Sequence, residues 1–472
     1  MPVPSAPMHY SSLVEIADLI RSSRISPVEL TLMMLDRVKQ LDPDLHCFAY
    51  VTTELAINSA RKAEQEIQKG HYKGPLHGIP VAVKDLCYTR DIPTSGGLRV
   101  LSHFIPDYDA TVISKLKSAG AVILGKLTLT EGAVGGYHRD FPIPRNPWGH
   151  DLWTGSSSSG SGVAVAAGLC YAALGSDTGG SIRFPAMACG VTGLKPTYGR
   201  VSRYGILPLA ETLDHVGPLA RTVGDAALAL DAISGPDAKD PTSVKQDPVK
   251  IWDQMDHDIS GLRIGYDPQY TAASVDERLI TCIEAALNEL KTTGAELVEV
   301  QVPDVSEIRE IWKIICTYEA ARAHSANYPS RAAEYGDFFR DFLEFGFNTS
   351  VQSYREAVKK KDLFIKKLNS VWSAVDILAC PGAGVPCRIP EGLLYRSMDE
   401  IRSFLNPYTY FQFTIPANFA GLPSLSFPCG TSALGPPYTM QLIGPEDSEA
   451  VLCSMGVAYQ KLTSWHTNFP GI

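Results

Sequence analysis

T-G-S-S-S-S-G-S-G-V-A-V-A-A-G (154–168), G-S-D-T-G-G-S-I-R-F-P (175–185) and G-L-K-P-T-Y-G-R-V-S-R (193–203) follow one another between Thr154 and Arg203. Two of these runs hold Gly and Ser at a density that serves backbone geometry rather than core volume, because small residues let backbone N–H groups approach a ligand. A surface linker could share that composition. It would not carry V-A-V-A-A-G-L-C-Y-A-A-L-G (163–175) between its halves, which reads as a buried helix running into a buried strand.

The same alternation extends outward. Residues 11–24 and 26–41 read as amphipathic helices, the second opened by Ser26-Pro27, a cap followed by proline at the first helical position. C-F-A-Y-V (47–51) reads as a strand, 54–69 as a helix ended by Gly70, and Val81–Val83 as a short apolar strand that delivers Lys84 at its end. Helix, glycine and strand recur at 110–125 and at 275–303, with a further helix at 222–234 and an exposed loop from Gly235. The segment at about 305–372 is mostly helical, and its K-K-K-D run from Lys359 is expected on a solvated face. V-D-I-L-A-C (375–380) reads as a buried strand, and 415–428 as a core helix followed by a strand. The predicted class is α/β, a central mixed twisted sheet covered by helices on both faces. With no fixed-period repeat and no long linker, residues 1–472 are expected to form one domain carrying the helical elaboration at 305–372.

Composition narrows the function classes. The chain has 472 residues, 45% hydrophobic and 20% charged, with a formal net charge of −9. No basic block marks a nucleic-acid or membrane surface, so neither partner is expected. Ten cysteines are scattered without C-x-x-C spacing, which reads as reduced core thiols rather than a metal site. No leader-like or membrane-spanning run is evident, and the cytoplasm is the expected compartment.

The candidate chemistry lies in D-T-G-G-S (177–181), where the consecutive N–H groups of Thr178, Gly179, Gly180 and Ser181 can converge beside the Ser181 hydroxyl, as an oxyanion hole requires. A Gly-rich turn with Ser181 capping the next helix is the structural alternative. For the base, His138, His150 and His215 fit no serine-hydrolase pattern and neither Ser157 nor Ser181 sits in G-x-S-x-G. Lys84 is the better candidate, since a lysine at the end of an apolar strand is desolvated and driven towards the neutral form a base needs. A structural ion pair of Lys84 with Asp85 or Asp177 is the competing reading. G-A-V-I-L-G-K (120–126) has phosphate-loop spacing but Leu127 where Ser or Thr is required, and it reads as strand.

G-I-P-V-A-V-K-D (78–85), G-S-S-S-S-G-S (155–161) and G-S-D-T-G-G-S-I-R-F-P (175–185), continued by G-L-K-P-T-Y-G-R (193–200), L-D-H-V-G-P (213–218) and G-L-P-S-L-S-F-P-C-G (421–430), resemble the amidase signature family over almost the whole chain. The resemblance implies an amidohydrolase needing no cofactor or metal, with Ser181 as the acyl-accepting nucleophile and Lys84 as the lysine of the triad. It also implies that Ser157 relays the proton, that the Ser156–Ser157 peptide is cis, and that Ser158, Asp177 and Arg183 support the loop. One departure is visible: Ser156 and Ser159 stand where the family's G-G-S-S-G-G run has glycine, offering extra hydroxyl partners to Ser157.

Two branches of the family compete for the substrate. One hydrolyses free amides, anilides, esters or carbamates; the other is the glutaminase subunit of a tRNA-dependent amidotransferase, which R-V-S-R-Y-G-I-L-P from Arg200 resembles. In the second branch an acidic residue is expected where this chain has Phe411, and a carboxylate-binding arginine near 340–346, where Arg340 stands in an unconvincing register. A pocket formed by Ala133, Val134, Tyr408, Tyr410, Phe411 and Phe413 is therefore expected to take apolar or aromatic amides, esters or carbamates, with a place in the core as the alternative for the aromatics. An inactive relative serving as a binding protein is the third alternative, and a homodimer is the oligomer considered.

Overall fold

A computed structural model describes residues 7–248, 250–255 and 258–472. Its strands are β1 Phe48–Val51, β2 Pro80–Lys84, β3 Val122–Leu127, β4 Ala172–Asp177, β5 Thr192–Lys195, β6 His215–Ala220, β7 Arg263–Tyr266, β8 Glu296–Glu299, β9 Ile377–Pro381, β10 Ser424–Gly430 and β11 Tyr438–Ile443. They form an 11-stranded sheet in the order β1-β3-β2-β4-β6-β5-β10-β11-β9-β7-β8. The sheet is mixed: β2 runs parallel to β3 and β4, and β7 to β8 and β9, whereas the pairs from β4 through β11 to β9 are antiparallel. Every residue of β2 to β6 and of β9 to β11 is buried. Successive side chains of a strand point to opposite faces, so burial of all of them means that both faces are covered. The end strands β1 and β8 keep exposed residues.

Parallel pairing places the site. Val83 of β2 is in register with Leu174 of β4, so the carboxyl ends of both strands, Lys84 and Ser176-Asp177, emerge at the same edge. The helix Ser159–Ala166 packs on β2 and β4 and starts at that edge. Its glycines permit this fit: a Cβ on Gly160 would stand 2.6 Å from the carbonyl oxygens of Cys47 and Thr128. The Gly/Ser run is thus a helix start wedged against backbone.

The helices Leu13–Arg21, Pro27–Leu45, Thr53–Gln68, Thr111–Ser118, Val223–Ile233 and Glu277–Lys291 fall where the periodicity predicts them. The Ser26 hydroxyl accepts from the Val28 and Glu29 amides ahead of Pro27. The helical segment resolves into Ile308–Ala323, Asp337–Asn348 and Val351–Asn369, the last with Lys359 and Lys360 exposed. The loop after Gly235 is less exposed than expected. Asp237 accepts from the Thr111 and Ser202 hydroxyls, and Asp240 accepts from the Arg203 amide, so polar residues there fasten the loop down. All ten cysteines are free thiols, and all but Cys282 are buried.

Candidate active site

Lys84 is fully buried at the end of β2. Its Nζ donates to Ser157 Oγ at 2.7 Å and to Ser158 Oγ and Ser176 Oγ at 2.9 Å. Burial brings its pKa down from 10.5 to about 7, against weaker upward pulls from Cys87, Asp177 and Asp214. The ion pairs that competed for this lysine are formed elsewhere: Asp85 lies 3.1 Å from Lys126, and Asp177 lies 2.9 Å from Arg183. Among the described residues Lys84 has no carboxylate within ion-pair distance.

The Ser156–Ser157 peptide is cis. Ser157 is buried between Lys84 and the loop of Ser181, and the Ser158 amide donates to the Ser181 carbonyl at 3.3 Å. Ser158 also braces β4, donating to the Ser176 carbonyl and accepting from the Ser176 amide, both at 3.2 Å. The extra hydroxyls do not crowd Ser157. Ser159 accepts from Tyr137 at 2.6 Å, and Ser156 faces the cavity described below.

The loop 177–182 is held from behind. Asp177 accepts from the Gly180 amide at 2.8 Å and the Ile182 amide at 3.0 Å, and a fully buried Arg183 grips it with two nitrogens, at 2.9 and 3.1 Å. Burial would raise the Asp177 pKa, but the Arg183 guanidinium and these donors hold it well below the usual carboxylate range. Arg183 also donates to the Thr414 carbonyl, Gln441 and Asn418, so the brace reaches β11 and the helix Phe411–Phe419.

Each loop carbonyl finds a donor on the protein side. Thr178 O accepts from Trp312 Nε1 at 2.9 Å, Gly179 O from the Thr414 hydroxyl at 2.7 Å, and Gly180 O from the Phe184 amide at 2.7 Å. A trans peptide points its N–H opposite to its C=O. The amides of Gly179 and Ser181 are thereby turned from the protein, and with that of Thr178 they have no acceptor among the described residues. Gly180 differs from the expectation: its amide donates to Asp177 rather than pointing free, and its φ of +131° is a backbone conformation that favours glycine.

Ser181, Thr178 and Gly179 line a cavity of about 360 Å³, and Lys84 and Ser157 lie behind that wall. Trp153, Phe184, Phe411 and Trp312 form a chain of rings along it, with centroid separations of 5.9, 5.0 and 6.1 Å. Ala133 and Val134 line it too. Tyr408, Tyr410 and Phe413 do not: Phe413 packs against Tyr270 in the core, the Tyr410 hydroxyl accepts from the Asp276 amide, and Tyr408 lies tilted against Phe404. Tyr408 ends the short turn Asn406–Tyr408 and Tyr410 precedes the helix Phe411–Phe419, on which Phe411 and Phe413 stand about 200° apart, so of these aromatics only Phe411 faces the cavity. Sequence reasoning missed Trp153, Phe184, Trp312 and Phe338, and the charged residues Arg309, Glu310, Lys313 and Arg402. Residues 309, 312 and 313 share one helix face by spacing, a signal present in the sequence but without a partner until the chain folds. Arg340 pairs with Asp337 and is not in the cavity wall, nor are His138, His150 and His215.

The model of the family described as Amidase matches residues 29–453. The chain belongs to the amidase signature family. The relative AmiD of Mycobacterium tuberculosis is 42% identical over 462 residues, covering 98% of this chain and 96% of AmiD. A glutamyl-tRNA(Gln) amidotransferase subunit from Thermosynechococcus vestitus is 38% identical over 479 residues, covering 96% of this chain and 98% of its own. A bacterial aryl acylamidase of the amidase signature family superposes with a TM-score of 0.87 at 25% identity, covering 98% of this chain and 99% of its own. Membership makes this protein a hydrolase acting on carbon–nitrogen bonds. No helix among the described residues is long and apolar enough to cross a membrane.

Proposed function

We propose that this amidase cleaves small apolar or aromatic amides, and carbamates or esters of similar shape, through an acyl-enzyme on Ser181. The observation that carries the reading is Lys84: buried, with no carboxylate at ion-pair distance among the described residues, and 2.7 Å from Ser157, behind the wall that presents Ser181. In its neutral form Lys84 takes the Ser157 proton, Ser157 takes the proton of Ser181, and Ser181 Oγ bonds to the carbonyl carbon. The charge that develops on the carbonyl oxygen meets the amides of Gly179 and Ser181, with Thr178 beside them, which have no other acceptor to give up. Collapse of the tetrahedral adduct breaks the C–N bond while the relay runs backwards and protonates the departing amine. Water then attacks the acyl group, passing its proton into the same relay, and Ser181 leaves with a proton returned to it. A carbamate adds only a second heteroatom on the same carbonyl, so the nucleophile and the oxyanion donors serve it unchanged.

The aromatic chain from Trp153 to Trp312 supports an aryl or alkyl group beside the scissile bond, as does the aryl acylamidase likeness. The likeness to the amidotransferase relative favours glutamine as a second reading. Against it, the position expected to be acidic is Phe411 in the cavity wall, and Arg340 lies outside it. The test is a chromatographic screen of the purified protein, with Ser181→Ala as control, against an aryl anilide, a fatty amide, an aryl carbamate and L-glutamine. Turnover of the anilide or carbamate that vanishes in Ser181→Ala is the expected result. Turnover of glutamine alone overturns the proposal in favour of the amidotransferase reading. No turnover, with no labelling by a serine-directed fluorophosphonate, overturns it in favour of a binding protein.

A further inference from the structure

The cavity that Ser181 lines mixes two chemistries. Besides its apolar and aromatic residues it carries Arg309, Lys313 and Arg402, with Glu310 as the single acid among its lining residues. That is an excess of cations in a chain whose net charge is −9. A cationic cleft in an acidic protein focuses the field for anions. Two of the cations are held by the protein: Arg309 donates to Asn406 and lies over the Phe411 ring, 4.9 Å from its centroid, and the Lys313 ammonium sits 3.9 Å from the centre of Phe345. Arg402 is different. It sits on the helix Met398–Leu405, partly buried in the cavity wall, and among the described residues its guanidinium has neither a hydrogen bond nor an ion pair. Glu310 pairs with none of the three.

A guanidinium offers five N–H donors in a planar fork, and taking them out of water without an acceptor is costly. A cation left without an acceptor in a cavity wall, next to two others, is matched by a ligand that carries the acceptor, and the planar two-oxygen group that fits the fork is a carboxylate. We infer that this cluster of cations is a subsite for a carboxylate borne by the substrate, met by Arg402 and favoured by the field of Arg309 and Lys313. The inference rests on the amidase reading of Ser181 and narrows its substrates to anionic amides with an apolar or aromatic middle. The carboxylate belongs to the acyl part or to the amine part, and paired substrates separate the two.

The experiment compares kcat/KM for N-phenylsuccinamic acid against butyranilide, which differ in an acyl-side carboxylate, and for 4-acetamidobenzoate against acetanilide, which differ in an amine-side one. The expected result is a preference for the charged member of one pair of about ten- to hundredfold, the worth of one charge-assisted contact. That ratio falls towards one in Arg402→Leu, is partly kept in Arg402→Lys, and shrinks at high salt. Equal kcat/KM within both pairs overturns the inference, as does a ratio that Arg402→Leu leaves unchanged. If no anilide of either kind is cleaved, the screen with the aryl carbamate judges the amidase reading by itself, and binding to Ser181→Ala decides the subsite. Tighter calorimetric binding of 4-phenylbutyrate than of 4-phenylbutanol, lost on adding Arg402→Leu, supports the subsite; equal binding refutes it.

Discussion

Protonating Lys84 should switch the enzyme off, and its midpoint can be stated in advance. The strand Pro80–Lys84 places the ammonium in a fully buried site whose near neighbours are three serine hydroxyls, and burial brings its pKa to about 7. Only the neutral amine can take the Ser157 proton, so kcat/KM for a neutral anilide should rise with pH, level off above the midpoint, and fall to about one-tenth one pH unit below it. The rate at which a fluorophosphonate labels Ser181 should follow the same curve, since it needs the same deprotonation and no leaving amine. Asp214, which burial raises to about 6 and which accepts from the Thr178 hydroxyl at 2.6 Å, is the nearest competitor for that titration. Asp214→Asn should therefore keep the midpoint near that of the wild type. The same lysine makes a thermodynamic mark. Between its folded pKa of about 7 and its ordinary 10.5 the native lysine is neutral while the unfolded one is protonated. The unfolded chain then binds more protons, so stability rises with pH through that window, by roughly 2 kcal/mol over its first two pH units. Lys84→Met should be inactive and should lack that part of the rise in denaturant titrations at successive pH values. A labelling rate that is flat across neutral pH, or an identical pH dependence of stability in Lys84→Met, would refute the reasoning.

Asp177→Asn leaves the Arg183 guanidinium buried without its counter-charge, and unfolding should show a loss of about 3–5 kcal/mol together with loss of activity. A Cβ added at Gly180, at φ +131°, would stand 2.5 Å from the Phe184 ring, so Gly180→Ala should displace the loop and lower kcat by about a hundredfold in steady-state assays, the scale of a lost oxyanion donor. Trp312→Phe keeps most of the ring but removes the N–H bonded to the Thr178 carbonyl; a net worth of about 0.5–1.5 kcal/mol predicts a two- to tenfold lower kcat with a smaller change in KM.

Much of the architecture was legible because it rests on local physics. Glycine stops after the helices, the Ser26-Pro27 start and the short apolar runs at 81–83 and 172–174 declare helices and buried strands to any reader of periodicity. The runs around Lys84, Ser157 and Ser181 were equally readable, because a desolvated lysine and a glycine-rich turn beside a serine are properties of short segments. What those segments do to each other was not readable. That Asp85 would turn to Lys126, leaving Lys84 to the serines, depends on partners from separate strands and turns. That Gly180 would give its amide to Asp177 depends on how the turn closes. The aromatic cluster at 408–413 misled for a related reason: Tyr408 and Tyr410 precede the helix Phe411–Phe419, and only packing against Phe184 and Trp312 decided that Phe411 faces the cavity and Phe413 the core. The sequence by itself determined the elements, the family and the candidate reactive groups, because each is written in neighbouring residues. Tertiary structure alone decided the cavity's chemistry, since Trp153, Trp312, Arg402 and Ser181 come together only when the helices at 308–323 and 398–405 close over the sheet edge.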